Sequence, residues 1–280
     1  MNNPSNNPFS TKGSNRILDL RKHGLFSDIV IRIGSFKFQC HKIVLACASQ
    51  FFEMLFQREG LQTGEVVLQD TTPDIFEIFL DYIYTKDAEA LDCLETILLL
   101  SLFKCANMWL AYEVEKICEQ VCLIRIDAME PAELVQLFAV SFHLGNEYLY
   151  SRIIGILHKK RSIDCPEALK LGIDCFMKYF EMTGEMTVAD RFDMLEKWVN
   201  KNMPEVTGVV VFSVHGKSNP KIEDFLSVTD FDKITVMLND IDLMEMSFHE
   251  FYCQAAKSNM LNHSDQIELM YQIGKKCMYD

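Results

Sequence analysis

The sequence has no long apolar segment. A helix needs about 20 consecutive apolar residues to cross a bilayer, and the longest candidate, LETILLLSLF at 94–103, is short and contains Glu95. The chain begins MNNPSNNPFSTKGSN, a polar stretch without the apolar core of a secretory signal. We therefore expect no membrane association and no export, and we expect residues 1–15 to be a disordered tail.

Paired cysteine motifs are also absent, although the chain contains ten cysteines. Cys118 and Cys122 lie one helical turn apart, but no second pair follows that would complete a tetrahedral zinc site. Cys40, Cys47, Cys105 and Cys175 lie on predicted apolar faces, where a thiol behaves as a small hydrophobe. We therefore expect no metal and no cofactor, and a reducing location in the cytoplasm and/or the nucleus.

The usual catalytic motifs are missing as well. The chain has no G-x-S-x-G nucleophile elbow, no G-x-x-x-x-G-K-[ST] phosphate loop and no H-E-x-x-H zinc motif. His249-Glu250 is the nearest fragment of the last, without a second histidine at the required spacing. Asp28 and His41 are an acid and a base, but no other catalytic group accompanies them, so a structural histidine is the favoured interpretation. The sequence predicts a protein that is not an enzyme and has no catalytic residues.

Basic charge is scarce and scattered. Lys and Arg number 27 against 40 Asp and Glu, a formal net charge of −13, and the longest basic run is HKKR at 158–161. A nucleic-acid-binding surface needs a concentrated basic face. We therefore expect no direct contact with nucleic acid, and we interpret the short run as a solvated helix end.

The stretch 26–68 has the most regular pattern in the chain. Apolar residues alternate with others at 29–33 and again at 36–40, which predicts two strands joined by a tight turn. From 44 to 56 the apolar residues follow helical spacing, which predicts one helix. A third short strand is predicted at 66–68. Periodicity alone thus indicates the order strand, strand, helix, strand.

Residues at the joints of these elements resemble the signature of the BTB (POZ) domain. Asp28 opens the first strand, HKIVL at 41–45 begins the helix, and an FF pair follows at 51–52. FEIFLDYIYT at 76–85 completes the set in the same order. A short amphipathic helix at 16–25 is similar to the one that crosses to the partner subunit in the kelch-like group.

The resemblance implies two domains. Residues 16–125 would form an α+β BTB/POZ dimerisation domain, followed at 126–280 by an all-α BACK-like helical domain whose helix pairs resemble those of kelch-like proteins. The segment 203–220 departs from that pattern, and we expect it to be an irregular insertion. No self-similarity with the period of about 50 residues typical of kelch repeats is present.

Apolar periodicity also predicts the later helices. Their approximate ranges are 91–103, 108–122, 133–145, 148–160, 166–180, 188–200 and 264–277. Thr72-Pro73 is a favourable start for a further helix, because threonine caps and proline fits the first turn. Ser247 and Glu250 have the spacing of a capping box.

For the kelch-like group, the resemblance implies a homodimer that serves as a substrate adaptor of a Cullin-3 RING ubiquitin ligase. The implied dimer interface consists of Ile17, Leu18, Leu20, Leu25, Asp28 and Lys42. The implied cullin contacts are Phe56, Leu61, Thr63, Tyr82 and Tyr84. Thr63 stands where the family's hydrophobic-x-Glu motif has its acid, so one charge-assisted hydrogen bond would be missing.

An alternative function is a BTB transcriptional or chromatin cofactor or scaffold, which recruits partners without ligase activity. The partners that the sequence implies are therefore a second copy of the chain, Cullin-3 as a candidate, and a client protein that the sequence does not identify.

Overall fold

A computed structural model describes residues 14–58, 64–203 and 228–278 of the protein. The chain divides into two compact units at the boundary between Met129 and Glu130. The predicted tail lies outside the described residues up to residue 13, and so do residues 204–220 of the predicted insertion.

A three-stranded sheet organises the first unit. Its strands are β1 (Ile29–Ile33), β2 (Phe36–Cys40) and β3 (Glu65–Leu68), in the spatial order β2-β1-β3. β1 pairs antiparallel with β2, across the turn at Gly34, and parallel with β3. Ile29, Ile31 and Ile33 are all buried, as the alternating pattern predicts.

The helix predicted over 44–56 is in fact two helices, α2 (Lys42–Ala48) and α3 (Gln50–Arg58), so that prediction is wrong. α1 (Ser14–Lys22) precedes the sheet. Ser49 between α2 and α3 is extended, with φ −151° and ψ 123°. Its hydroxyl donates a hydrogen bond of 2.5 Å to the Trp109 carbonyl. The apolar spacing continues across the break, so periodicity alone could not reveal it.

Four more helices complete the first unit. They are α4 (Pro73–Thr85), α5 (Ala88–Asp92), α6 (Thr96–Met108) and α7 (Tyr112–Arg125). Thr72 caps α4 by accepting from the Ile75 N–H at 3.4 Å, as predicted. The bounds predicted as 91–103 and 108–122 are wrong. Residues 91 and 92 end α5, and the extended Glu95 precedes α6. Leu110, with φ 52°, lies between α6 and α7.

Aromatic rings form the centre of the first unit. Trp109 lies with its ring centre 4.9 Å from that of Phe79, 5.7 Å from Phe76 and 6.0 Å from Phe52. All four side chains are almost fully buried. Edge-to-face contacts of this kind stabilise a core by about 0.5–1.5 kcal/mol each beyond their buried area. They join α3, α4 and the end of α6 into one core.

The second unit is helical in its described part. Its helices are α8 (Pro131–His143), α9 (Glu147–Lys160), α10 (Ile173–Glu181), α11 (Val188–Asn202), α12 (Val228–Asn239), α13 (Phe248–Cys253) and α14 (His263–Lys276), with 3-10 turns at Ala168–Lys170, Leu243–Glu245 and Ala255–Lys257. The described part of the chain is thus an α+β unit followed by an all-α unit, which is the predicted order of fold classes.

The sequence predicted some helix starts of the second unit correctly and missed others. The capping box of Ser247 and Glu250 is present at the start of α13. The helix predicted at 166–180 begins only at Ile173, because a 3-10 turn precedes it. α14 begins at His263, one residue before the predicted start, and is capped by Asn262, whose side chain accepts from the Asp265 N–H at 2.7 Å. α12 was not predicted.

Trp198 centres the core of the second unit. Its ring stacks on Phe176 at 4.6 Å with an interplanar angle of 11°, which joins α11 to α10. Its indole N–H donates to the Leu171 carbonyl at 2.9 Å. A buried indole needs such an acceptor, since an unpaired buried donor is costly.

Candidate protein-interaction surface

A single buried guanidinium holds α1 on α4. Arg21 donates to Asp81 Oδ1 at 2.8 Å and also to Glu77, and its Cζ lies 5.6 Å from the centre of the Tyr84 ring. Burial alone would lower the pKa of Arg21, but the hydrogen bonds and charges of the two carboxylates raise it above its ordinary value. The charged side chain therefore positions α1 and the apolar residues that α1 carries.

His41 joins three elements at the start of α2. Its Nε2 lies 2.9 Å from the Leu25 carbonyl and its Nδ1 lies 2.8 Å from the Tyr84 hydroxyl. A carbonyl can only accept, so we assign the proton to Nε2, and Nδ1 then accepts from Tyr84. The Tyr84 oxygen also accepts from the His41 backbone N–H at 3.1 Å. With its ring nitrogens engaged in this way, His41 serves a structural purpose and brings the end of α1 beside α2.

Four exposed apolar side chains lie on α1, on α2 and on the segment between α1 and β1. They are Ile17, Leu25, Phe26 and Ile43. Phe26 is 84% exposed and Ile43 70% exposed in the single chain, whereas the predicted interface residues Leu18 and Leu20 are half-buried. Phe26 also has φ 62°, a conformation that costs a bulky residue energy and that clusters at functional sites. We therefore take these four exposed side chains as the candidate interaction surface of the first unit.

Asp28 and Lys42 meet through the main chain. Asp28 Oδ1 accepts a hydrogen bond of 2.7 Å from the Lys42 backbone N–H. Asp28 is exposed and Lys42 half-buried in the single chain. Burial of the two charges at a subunit boundary requires a second copy, so it stays a prediction.

The predicted cullin contacts fall into two groups. Leu61 and Thr63 lie outside the described residues, and Phe56 is half-buried near the end of α3. For these three residues the predicted contact stays a prediction. Tyr82 and Tyr84 are only 6% and 4% exposed in the single chain, so each ring offers little surface to a partner, and their predicted contacts also stay predictions.

The burial of the two tyrosines has a structural reason. Their hydroxyls bind inside the chain, Tyr82 to Glu113 at 3.4 Å and Tyr84 to His41. Burial raises the pKa of each tyrosine to about 12. The spacing of apolar residues in FEIFLDYIYT predicts a helix with a wide apolar face. A tyrosine at the buried centre of that face and one at its exposed edge fit this spacing equally well, so the sequence could not distinguish them.

Exposed residues near α3 were missed by the sequence analysis. Met54 on α3 and Tyr112 at the start of α7 are exposed. The Tyr112 hydroxyl donates to Gln50 Oε1 at 3.4 Å, which brings the start of α7 to the first turn of α3. Nothing in the linear sequence indicates that these two helix starts meet.

Membrane spans and metal sites are two further kinds of functional feature. No described helix has the length and apolar character needed to cross a membrane. In the ranges 14–58, 64–203 and 228–278, no three His, Cys, Asp or Glu side chains are placed so as to hold a metal ion.

Comparison with known proteins defines the class of the first unit. The profile of the BTB/POZ domain family matches residues 17–125, where the sheet and α1–α7 lie. Residues 17–125 are therefore a BTB/POZ domain, and the predicted resemblance is confirmed.

Individual relatives belong to the kelch-like group. Kelch-like protein 40 of Mus musculus is 41% identical over 69 residues, which are 25% of this chain and 11% of that protein. Kelch-like protein 7 of Rattus norvegicus is 26% identical over 180 residues, 64% of this chain and 26% of that protein. The second match is longer than the BTB/POZ domain, so similarity to the kelch-like group extends into the helical half.

The solved BTB domain of zebrafish PATZ1 is 26% identical, covering 43% of this chain and 97% of that domain with a TM-score of 0.35. The chain spans 11% to 26% of the length of the two curated relatives described above.

Proposed function

We propose that the chain is a homodimeric adaptor of the kelch-like type, which binds a client protein and carries it to a Cullin-3 ubiquitin ligase. The observation that carries this proposal is the BTB/POZ domain at 17–125, together with kelch-like similarity that continues beyond it. The adaptor performs no chemistry of its own; it acts by bringing two proteins together.

Exposed apolar residues on α1 and α2 support the dimer. Homodimer interfaces bury about 2,000 Å² or more of mostly apolar surface. Ile17, Leu25, Phe26 and Ile43 offer apolar surface that the single chain leaves in water. His41 brings the Leu25 carbonyl to the start of α2, so part of this surface is continuous.

Light scattering after size-exclusion chromatography tests the dimer. The wild type should elute with twice the 32.4 kDa mass of one chain. Ile43→Asp should shift the mass to that of one chain, because a charge in a closely packed apolar interface loses its hydration. Ile97→Asp, at an exposed apolar residue of α6, is the control and should leave the dimer intact. A wild type that runs as a single chain at micromolar concentration would refute the dimer.

The cullin part of the proposal depends on Leu61 and Thr63. In the kelch-like adaptors that this chain resembles, a hydrophobic-x-Glu motif enters a cullin pocket, and Leu61 with Thr63 occupies the matching place. Leu61 supplies the apolar anchor, whereas Thr63 offers a neutral hydroxyl in place of a carboxylate. Charge-assisted hydrogen bonds are about twice as strong as neutral ones, so we expect binding that is weaker than the glutamate would allow.

Biolayer interferometry with the immobilised amino-terminal domain of Cullin-3 tests this part. Leu61→Asp should abolish binding without lowering the melting temperature, and Thr63→Glu should strengthen binding by about tenfold. Tyr112→Ala should weaken binding if the exposed residues near α3 extend the contact, whereas Gln69→Ala, after β3, is the control. If neither the wild type nor Thr63→Glu binds, the cofactor or scaffold function replaces the ligase adaptor.

We further propose that the protein works in the cytoplasm and/or the nucleus. None of the ten cysteines, all of which lie in the described part of the chain, forms a disulfide. This state suits a reducing compartment. Fluorescence microscopy of a tagged full chain tests the location.

A further inference from the structure

α14 has an exposed apolar side in addition to its buried one. Leu269 and Ile273 are buried in the second unit. Four other residues follow one another at spacings of four, three and four, so they share a different side of the helix. They are Ile267, Tyr271, Gly274 and Met278, which we call the α14 stripe. The three side chains of the stripe are all more than half exposed. Spacings of four and three are those with which two helices pack in a coiled coil, so the stripe suits a second helix.

The α14 stripe has a hollow at Gly274. A Cβ atom placed there would lie 3.5 Å from the ring of Phe248, so this ring lies beside the hollow. Phe248 is the first residue of α13 and is itself exposed. Its ring stacks on Tyr252 at 6.5 Å, and the ammonium of Lys257 lies 5.0 Å from the centre of the Tyr252 ring. Tyr252 thus already has two neighbours, and Phe248 is the ring that the hollow offers to a partner.

A second copy of α14 that runs antiparallel fits the sizes of the residues in the stripe. A two-fold interface places the same surface on both partners, so the surface must complement itself. When Tyr271 of one copy faces Gly274 of the other, the large side chain enters the hollow and reaches Phe248. The same alignment places Ile267 against Met278, and the two-fold axis repeats both contacts. Each large residue of the stripe therefore has a partner in the second copy.

The charges beside the α14 stripe fit the same antiparallel alignment. Glu268 and Lys275 are two helical turns apart and lie on the same flank of the stripe. The antiparallel alignment brings Glu268 of each copy beside Lys275 of the other, so two pairs of opposite charge form. Glu268 accepts only a neutral hydrogen bond, from Gln272 Nε2 at 3.1 Å, and Lys275 is in no ion pair with a described residue. In a parallel pair this flank would face Met270 and Cys277, without a charge.

The other acid and the other lysine of α14 do not lie beside the stripe. Asp265 is buried. Lys276 lies on the opposite side of the helix from Ile267, and its Nζ is 3.4 Å from the Met244 carbonyl. Neither group therefore opposes the pairing of Glu268 with Lys275.

We propose that a second copy of the chain binds the α14 stripe through an antiparallel pair of α14 helices. Tyr271 of each copy packs against Gly274 of the other, and Glu268 pairs with Lys275. This inference goes beyond the adaptor function, because it gives each chain a second self-contact besides the one at α1 and α2. Two different two-fold contacts on one chain allow dimers to join into larger assemblies. The α14 contact requires neither the cullin contact nor the dimer of the first unit, so the proposals can fail separately.

Sedimentation equilibrium of the full chain tests the proposal. Ile43→Asp, which should block the dimer of the first unit, is the background, so the mass should begin at the 32.4 kDa of one chain. From about 1 μM to about 200 μM the average mass should rise towards twice that value, because one helix pair is a small and weak interface. If Ile43→Asp leaves the first dimer intact, the rise should begin at the mass of that dimer instead. In either case, substitutions in the α14 stripe should remove the rise.

An apolar substitution and its control place the contact on the stripe. Tyr271→Lys should weaken the self-association at least about tenfold, because the ammonium would enter the hollow beside Phe248 and lose water. Tyr148→Lys on α9 is the control, because Tyr148 is 64% exposed and Tyr271 70%. The control should change the affinity by less than about twofold.

Charge reversal tests the antiparallel direction. Glu268→Lys and Lys275→Glu should each weaken the self-association by about tenfold, because like charges then meet twice. An equal mixture of these two variants should associate more tightly than either variant alone, because both pairs across the axis are then opposite. The double variant should likewise recover the wild-type affinity. Lys276→Glu is the control for Lys275→Glu and should change the affinity by less than about twofold.

Three results would overturn the proposal. A mass that stays constant up to about 200 μM would leave the stripe to a different partner. Equal effects of Tyr271→Lys and Tyr148→Lys, with unchanged circular dichroism, would place the self-association on another surface. A mixture of the two charge variants that associates no more tightly than each alone would exclude the antiparallel pair.

Discussion

The carboxylate of Asp28 caps α2 from outside that helix, because Oδ1 accepts a 2.7 Å hydrogen bond from the Lys42 backbone N–H. The first amides of a helix lack partners within the helix and carry partial positive charge. His41 precedes α2 but makes no side-chain cap, since its ring binds Tyr84 and the Leu25 carbonyl. In the single chain, the Asp28 carboxylate therefore contacts the main-chain amide of Lys42.

Removing this cap should destabilise the first unit. Asp28→Ala should lower the free energy of unfolding by about 1–2 kcal/mol, because one helix amide loses its acceptor. Asp28→Asn keeps an acceptor oxygen and should cost less than half as much. Urea denaturation monitored by circular dichroism measures both. Equal losses for the two variants would show that the charge matters and the hydrogen bond does not.

Arg21 should be required for the attachment of α1. Arg21→Met keeps the aliphatic stem but removes the bonds to Glu77 and Asp81. The loss should be about 1–3 kcal/mol, since both carboxylates are about half exposed and regain water. Hydrogen exchange should show faster exchange in α1 while β1 stays protected. Arg21→Lys should retain part of the protection, and loss of protection in β1 as well would contradict a local role.

The ten thiols should separate by reactivity. Cys47, Cys93, Cys253 and Cys277 are exposed, whereas the other six are buried. Iodoacetamide labelling followed by peptide mass spectrometry should modify Cys93, Cys253 and Cys277 first. Cys47 lies on α2 with Ile43, so it should label rapidly in Ile43→Asp and slowly in the wild-type dimer. Rapid labelling of Cys47 in both would contradict the assignment of α2 to the interface.

Alkaline pH should destabilise the first unit. Burial raises the pKa of Cys40 and of Cys122 from the ordinary value of 9.0 to about 12, and it raises the pKa of Cys118 as well. A group that holds its proton more tightly when folded stabilises the fold fully below its unfolded pKa. That contribution is then lost as the pH rises from 9 towards 12. The expected loss is about 1.4 kcal/mol for each thiol per pH unit.

Urea titrations at several alkaline pH values measure this loss. Cys40→Ala should reduce the slope of the free energy of unfolding against pH by the share of one thiol, about 1.4 kcal/mol per pH unit, while the other buried groups whose pKa is raised, Cys105, Cys118, Cys122, Tyr82 and Tyr84, keep the rest of the slope. Cys93→Ala, at an exposed thiol, is the control. An unchanged slope in Cys40→Ala would contradict the effect of burial on that thiol.

Trp198 should be sensitive even to replacement by another aromatic residue. Trp198→Phe keeps an aromatic ring against Phe176 but leaves the Leu171 carbonyl without the indole N–H. The unpaired acceptor and the smaller ring should together cost about 2–4 kcal/mol. Thermal unfolding followed by circular dichroism measures the change. A melting temperature within about one degree of the wild type would contradict the importance of this contact.

The sequence by itself determined the elements whose signals are local. Alternation at 29–33 and 36–40 predicted β1 and β2 because side chains in a strand point to opposite faces. Thr72 and Ser247 predicted helix starts because their hydroxyls accept from amides only three residues away. The order of these pieces was also sufficient to indicate a BTB/POZ domain.

Only the tertiary structure decided the features that join distant residues. The break at Ser49 depends on a carbonyl sixty residues away in sequence, at Trp109. Tyr82 and Tyr84 are buried because their hydroxyls meet Glu113 and His41, and a helical pattern does not show which apolar positions other elements cover. Such contacts depend on how the elements pack, and packing is a property of the whole core and not of any single stretch of sequence.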